Sequence, residues 1–129
     1  MGYLYRYKTA LLVDDSYIDN QINIRVLESN NYAETIIVQP PVEAIEYIKE
    51  SILKNNLPEV LFLDIRMPIM NGFDFLSALD QIVGFEESKI KIYVLSSSLN
   101  PQDFKEIRQN KLVSAFLCKP LTNEIFKEI

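Results

Sequence analysis

Asp64 ends an apolar run, Val60-Leu61-Phe62-Leu63, and a second apolar run, Ala10-Leu11-Leu12-Val13, ends in the pair Asp14-Asp15. Two more runs lead into a hydroxyl and an ammonium: Ser96-Ser97-Ser98 follows Ile92-Tyr93-Val94-Leu95, and Lys119-Pro120 follows Ala115-Phe116-Leu117-Cys118. If these runs are parallel strands of one sheet, three carboxylates, a hydroxyl and a lysine converge where the strands end. Hard oxygen ligands at that density suit Mg²⁺, which takes one or two carboxylates and completes its shell with water and phosphoryl oxygens. With their repulsion offset in this way, one carboxylate can attack a phosphoryl donor and become an aspartyl phosphate. A cation, an ammonium and a hydroxyl are the groups that stabilise the phosphoryl oxygens in such a step.

The elements that must position these groups are legible as a pattern. The run Ile36 to Val38 joins the four above, and all five lack the alternation of a half-exposed strand, so they read as strands apolar on both faces. Between them the spacing is helical: Ile18, Ile22 and Val26; Ile45, Ile48 and Ile52; Phe73, Leu76 and Leu79; Phe104 and Ile107; Leu121 and Ile125. Pro40-Pro41 and Asn100-Pro101 are helix-start signals, with Pro at the first helical position. The alternation predicts a (βα)₅ fold, a parallel five-stranded sheet with right-handed crossovers and helices on both faces. In such a sheet ligands bind beyond the carboxyl ends of the strands, where the strand order reverses. The last helix is expected to be short.

Composition narrows the chemistry. The 129 residues suit one domain over 1–129 with residues 1–7 peripheral, and 48% hydrophobic with 24% charged residues excludes a disordered or fibrous class. A net charge of −5 argues against non-specific nucleic-acid binding, which needs many cationic contacts to phosphates. With no histidine, imidazole bases, Ser-His triads and histidine metal ligands are excluded. The single Cys118 has no partner for an internal disulfide and is expected to be a buried thiol in a reducing compartment. With no leader-like or membrane-spanning stretch, the expected location is cytoplasmic.

The ordered pieces Val13-Asp14-Asp15-Ser16, Leu63-Asp64-Ile65-Arg66-Met67-Pro68, Asn71-Gly72, Leu95-Ser96-Ser97 and Lys119-Pro120 give the chain a resemblance to the receiver domain of a two-component response regulator, of the single-domain chemotaxis type. Each piece alone is weak; five in order at strand ends are jointly specific. The resemblance implies a flavodoxin-like doubly wound sandwich with strand order 2-1-3-4-5 and a Mg²⁺-dependent phosphorelay function. It makes Asp64 the phosphoacceptor, with Asp14, Asp15, Asp64 and the backbone carbonyl of Arg66 as metal ligands. Lys119 would contact the phosphoryl group, Ser96 would be the switch hydroxyl with Ser97 as a one-residue alternative register, and Phe116 matches the aromatic switch position. Arg66 and Ser98 occupy the positions on which the family's dephosphorylation rate depends, so Arg66→Asn is expected to alter the lifetime of the phosphoryl group. The implied partners are a histidine kinase or histidine phosphotransfer protein and a downstream protein target, with no direct contact to nucleic acid or membrane. The output surface would be the helix around Phe104, the fifth strand and the helix after Pro120.

Plainer readings stand beside these. Asp14-Asp15 on its own is more often a helix cap, Lys119 a surface lysine, and Phe116 a core ring. Met67-Pro68 and Asn71-Gly72 more readily shape a loop than touch a ligand. Tyr3, Tyr5 and Tyr7 alternate as in an extended segment. Among other functions, a haloacid-dehalogenase-like phosphatase would need an acid where Arg66 stands. A nucleotide or flavin site would need a glycine-rich loop, and the chain has only Gly2, Gly72 and Gly84. A pseudo-receiver that docks partners without phosphorylation is the remaining alternative. The chain is therefore expected to be a signalling module rather than an enzyme acting on other substrates.

Overall fold

In a computed structural model, which describes residues 5–96, 100–119, 121–127 and 129, the apolar runs form five strands: β1 (Tyr7–Val13), β2 (Ala33–Gln39), β3 (Val60–Asp64), β4 (Lys91–Ser96) and β5 (Ala115–Cys118). All neighbours pair in parallel, in the order β2-β1-β3-β4-β5. The helices are α1 (Tyr17–Ser29), α2 (Pro41–Lys54), α3 (Gly72–Asp80), the single turn α4 (Phe85–Ser88) and α5 (Pro101–Gln109). This is the doubly wound architecture the alternation predicts, with α4 as an addition between α3 and β4. After β5 the stripe Leu121 and Ile125 yields only a 3₁₀ turn, Ile125–Lys127, in place of a helix.

Successive side chains of the central strands point to opposite faces and build two cores. Leu11, Val13, Leu61, Leu63, Ile92 and Val94 pack with Ala44 and Ile48 of α2, Phe75 and Leu79 of α3 and Ile107 of α5. Ala10, Leu12, Val60, Phe62, Tyr93 and Leu95 pack with Leu27 of α1, Leu121 and Phe126. β3 is buried at every position, whereas the edge strands β2 and β5 are mostly half-buried or exposed. The expectation of strands apolar on both faces therefore holds for the three central strands and not for the two edges, which each have a single neighbour. Cys118 shows the difference: it is exposed, not buried, because it ends an edge strand.

β1 begins at Tyr7, before the apolar run, and Arg6 and Tyr7 donate backbone hydrogen bonds to Asn31 and Tyr32. Tyr3 lies outside the described residues. The inward face of α1 agrees with the stripe Ile18, Ile22 and Val26 only at Val26, which is half-buried against the second core. Asn20, Asn23 and Leu27 are buried, while Ile18 is 70% and Ile22 42% exposed. The side-chain amide of Asn20 donates to the backbone carbonyl of Asp14 at 3.1 Å, a buried polar contact on the inward face of the helix. No helix among the described residues is long and apolar enough to cross a membrane.

Candidate functional site

The order β2-β1-β3 means that the chain leaves β1 in one direction to reach β2 and in the other to reach β3, so a crevice opens above the β1–β3 pair. Val13 pairs with Leu63, and the next residues of the two strands are Asp14 and Asp64. Both are buried, at 4% and 6% exposure, while Asp15 is exposed. Carboxylate oxygens of Asp14, Asp15 and Asp64 lie within 4.8 Å of one another.

Register carries the remaining groups to the same edge. Leu95 pairs with Asp64 and Ser96 with Cys118, so Ser96 and Lys119 come one step above the sheet on neighbouring strands. The Lys119 amide donates to the Ser96 carbonyl at 2.9 Å, and Ser96 is buried. The Lys119 ammonium lies 3.0 Å from Asp14 Oδ2, 3.0 Å from Asp64 Oδ1 and 2.8 Å from Asp19 Oδ2. Ser97 and Ser98 lie outside the described residues.

Local chemistry holds the loops. Ser16 caps α1, its hydroxyl accepting from the Asp19 amide at 3.3 Å, while Asp14 Oδ1 accepts from the Ser16 amide at 2.9 Å. Asp14 thus braces the start of α1 from one oxygen and meets Lys119 with the other. Asn71 opens α3 with a reciprocal capping box to Asp74. The Gly72 amide donates to the Ile65 carbonyl at 2.8 Å, and a Cβ on Gly72 would stand 2.8 Å from Ile65 Cα. Asn71-Gly72 therefore shapes the loop beside Asp64, as the plainer reading has it.

The electrostatics follow from burial. Desolvation pushes the Asp64 carboxyl above the ordinary aspartate range; the Lys119 hydrogen bond pulls it back, the Asp14 charge raises it, and the Arg66 amide lowers it. Burial alone would depress the Lys119 ammonium, but its hydrogen bonds to Asp19, Asp14 and Asp64 outweigh this and hold it above the ordinary lysine value. Lys119 is therefore a fixed positive charge between acids. Three close carboxylates of hard oxygen, balanced by a single ammonium, fit a small divalent cation.

Two participants lie outside the residues singled out from the sequence. Asp19, one helical turn after Asp15, supplies the third acceptor of Lys119; that spacing was the available signal. Asp103, in the first turn of α5, forms an ion pair with the Arg66 guanidinium. Phe116 is half-buried on β5, its ring edge-on to Phe104 of α5 with centroids 5.4 Å apart.

Residues 10–129 match the response regulator receiver domain. The chain belongs to this family. Among solved structures, a two-component response regulator from Cytophaga hutchinsonii superposes with a TM-score of 0.86 at 27% identity, covering 95% of this chain and 93% of that one. A receiver protein from Dyadobacter fermentans, at 22% identity and a TM-score of 0.82 over 94% of this chain and 93% of its own, shares the fold. The protein-glutamate methylesterase/protein-glutamine glutaminase of Photorhabdus laumondii is 42% identical over 72 residues, which is 55% of this chain and 19% of that protein. The receiver thus matches only about a fifth of the length of such relatives. It is a two-component signalling module of flavodoxin-like fold.

Proposed function

We propose that this receiver accepts a phosphoryl group on Asp64 from a histidine kinase or histidine phosphotransfer protein, and signals through altered binding to a downstream protein. The observation that carries this reading is the Lys119 ammonium 3.0 Å from both Asp14 and Asp64, with Asp15 completing the carboxylate cluster. An Asp64 oxygen attacks phosphorus, the phosphorus–nitrogen bond of the donor phosphohistidine breaks, and the electron pair leaves with the imidazole. Asp14, Asp15, Asp64 and the Arg66 carbonyl would hold Mg²⁺, which would supply charge neutralisation for phosphoryl oxygens. Lys119 then turns from the Asp64 carboxylate to a phosphoryl oxygen while keeping Asp14, and the Ser96 hydroxyl donates to a second oxygen.

Burial of Asp64 and Ser96 limits the access of water to the acyl phosphate, which gives the signal a lifetime. Intact mass after incubation with Mg²⁺ and a small phosphoryl donor tests this reading. The parent protein is expected to gain one phosphoryl group and Asp64→Asn none. No gain in the parent, with Mg²⁺ binding confirmed by titration, would instead favour a docking module that works without phosphorylation.

A further inference from the structure

Arg66 stands two residues beyond Asp64, and its backbone amide hydrogen-bonds the Asp64 carboxylate, so its side chain starts beside the phosphoacceptor. That side chain nevertheless runs away from Asp64, across to α5, where the guanidinium pairs with Asp103. The Asp103 side chain is only 14% exposed while that of Arg66 is 55% exposed, so the acid is the enclosed partner and the arginine the one that reaches it from the solvent side. We propose that Asp103 is a positioning residue: it holds Arg66 off Asp64 and thereby sets how long a phosphoryl group survives there. This rests on the reading of Asp64 as phosphoacceptor.

Two anions compete for one cation. A guanidinium presents a planar fork of donors that fits a carboxylate or a phosphoryl group equally well. A phosphoryl group on Asp64 adds a charge of roughly −1.5 to −2 close to where the Arg66 side chain begins. While Arg66 stays on Asp103, that side of the phosphoryl group is left open to water. When Arg66 moves onto the phosphoryl oxygens, it covers them and slows hydrolysis, and Asp103 loses its counter-charge. Asp103 lies in the first turn of α5, the helix whose Phe104 ring packs edge-on against Phe116 of β5 at 5.4 Å.

Asp103 also has a purely structural role open to it, since an acid in the first turn of a helix is favoured by the helix dipole. A double-mutant cycle separates the two roles. The half-life of phosphorylated protein is followed by intact mass after donor removal in four forms: parent, Asp103→Asn, Arg66→Asn and the double variant. Asp103→Asn is expected to lengthen the half-life roughly two- to fivefold, the factor that corresponds to an exposed ion pair of about 0.4–1 kcal/mol. In the Arg66→Asn background the same substitution is expected to change nothing, and Asp103→Glu is expected to restore the parental half-life. An unchanged half-life in Asp103→Asn, or an equal change in both backgrounds, overturns the role of Asp103 and leaves the phosphoacceptor reading intact. A parent that gains no phosphoryl group overturns both.

Discussion

Lys119 has three N–H bonds and three carboxylate neighbours, Asp14, Asp19 and Asp64, all at 3.0 Å or less. Any new phosphoryl contact must displace one of them, and the hydrogen bond to Asp64 is the one that phosphorylation of that side chain removes. Around this ammonium the Asp64 carboxyl titrates above its ordinary range, first because it is buried. A carboxyl whose pKa is raised on folding contributes stability that is fully present below its unfolded value, about 3.9, and is lost as pH rises through the folded value. Asp64→Asn, which carries no charge to desolvate, is therefore expected to melt above the parent at pH 7 without Mg²⁺. The gap should close as pH falls below about 4, and melting curves across pH with a chelator present check this. Asp14, Asp64 and Lys119 are visible in the chain because each directly follows an apolar run, and Asp15 because it is paired with Asp14. Asp19 and Asp103 are not, because their partners depend on how a helix is rotated and where a loop crosses.

Helix periodicity predicted where the elements lie better than which faces they bury. In α1 the inward positions hold Asn20 and Asn23 beside Leu27, so of the stripe Ile18, Ile22 and Val26 only Val26 packs against the core, while Ile18 and Ile22 face solvent. Ile18→Gln is accordingly expected to change stability by less than about 0.5 kcal/mol, against about 2–5 kcal/mol lost in Leu27→Ala, as chemical denaturation would show. In α2 the stripe is correct because Ile45 and Ile48 face the core directly. Gly72 is the element-scale device nearest the site, since α3 starts against the end of β3 only where no Cβ intervenes. Gly72→Ala brings its methyl within 2.8 Å of Ile65 Cα. It is expected to cost about 1–3 kcal/mol by overpacking, and to slow phosphoryl uptake in the mass assay by displacing Asp64.

Across the whole molecule, an aromatic cluster ties the sheet to the last described turn. Tyr32 meets Tyr7, Phe62 and Phe126 at centroid distances of 5.2, 5.7 and 4.8 Å, and Arg6 donates to the Phe126 carbonyl at 3.2 Å. Phe126 stands in for the inward face of the expected last helix, so Phe126→Ala is expected to cost about 3–5 kcal/mol, measured by denaturant melting. Such a loss would mark the 3₁₀ turn as part of the second core. The order of strands and helices, the parallel sheet and the carboxylates, hydroxyl and lysine at strand ends can all be read along the chain, because apolar runs and the residues that follow them are local properties of it. Packing in three dimensions makes Cys118 exposed at the end of an edge strand, sets which face α1 buries, and brings Lys119 to Asp19 and Arg66 to Asp103. Those outcomes depend on neighbours distant along the chain, which strand and helix periodicity does not encode.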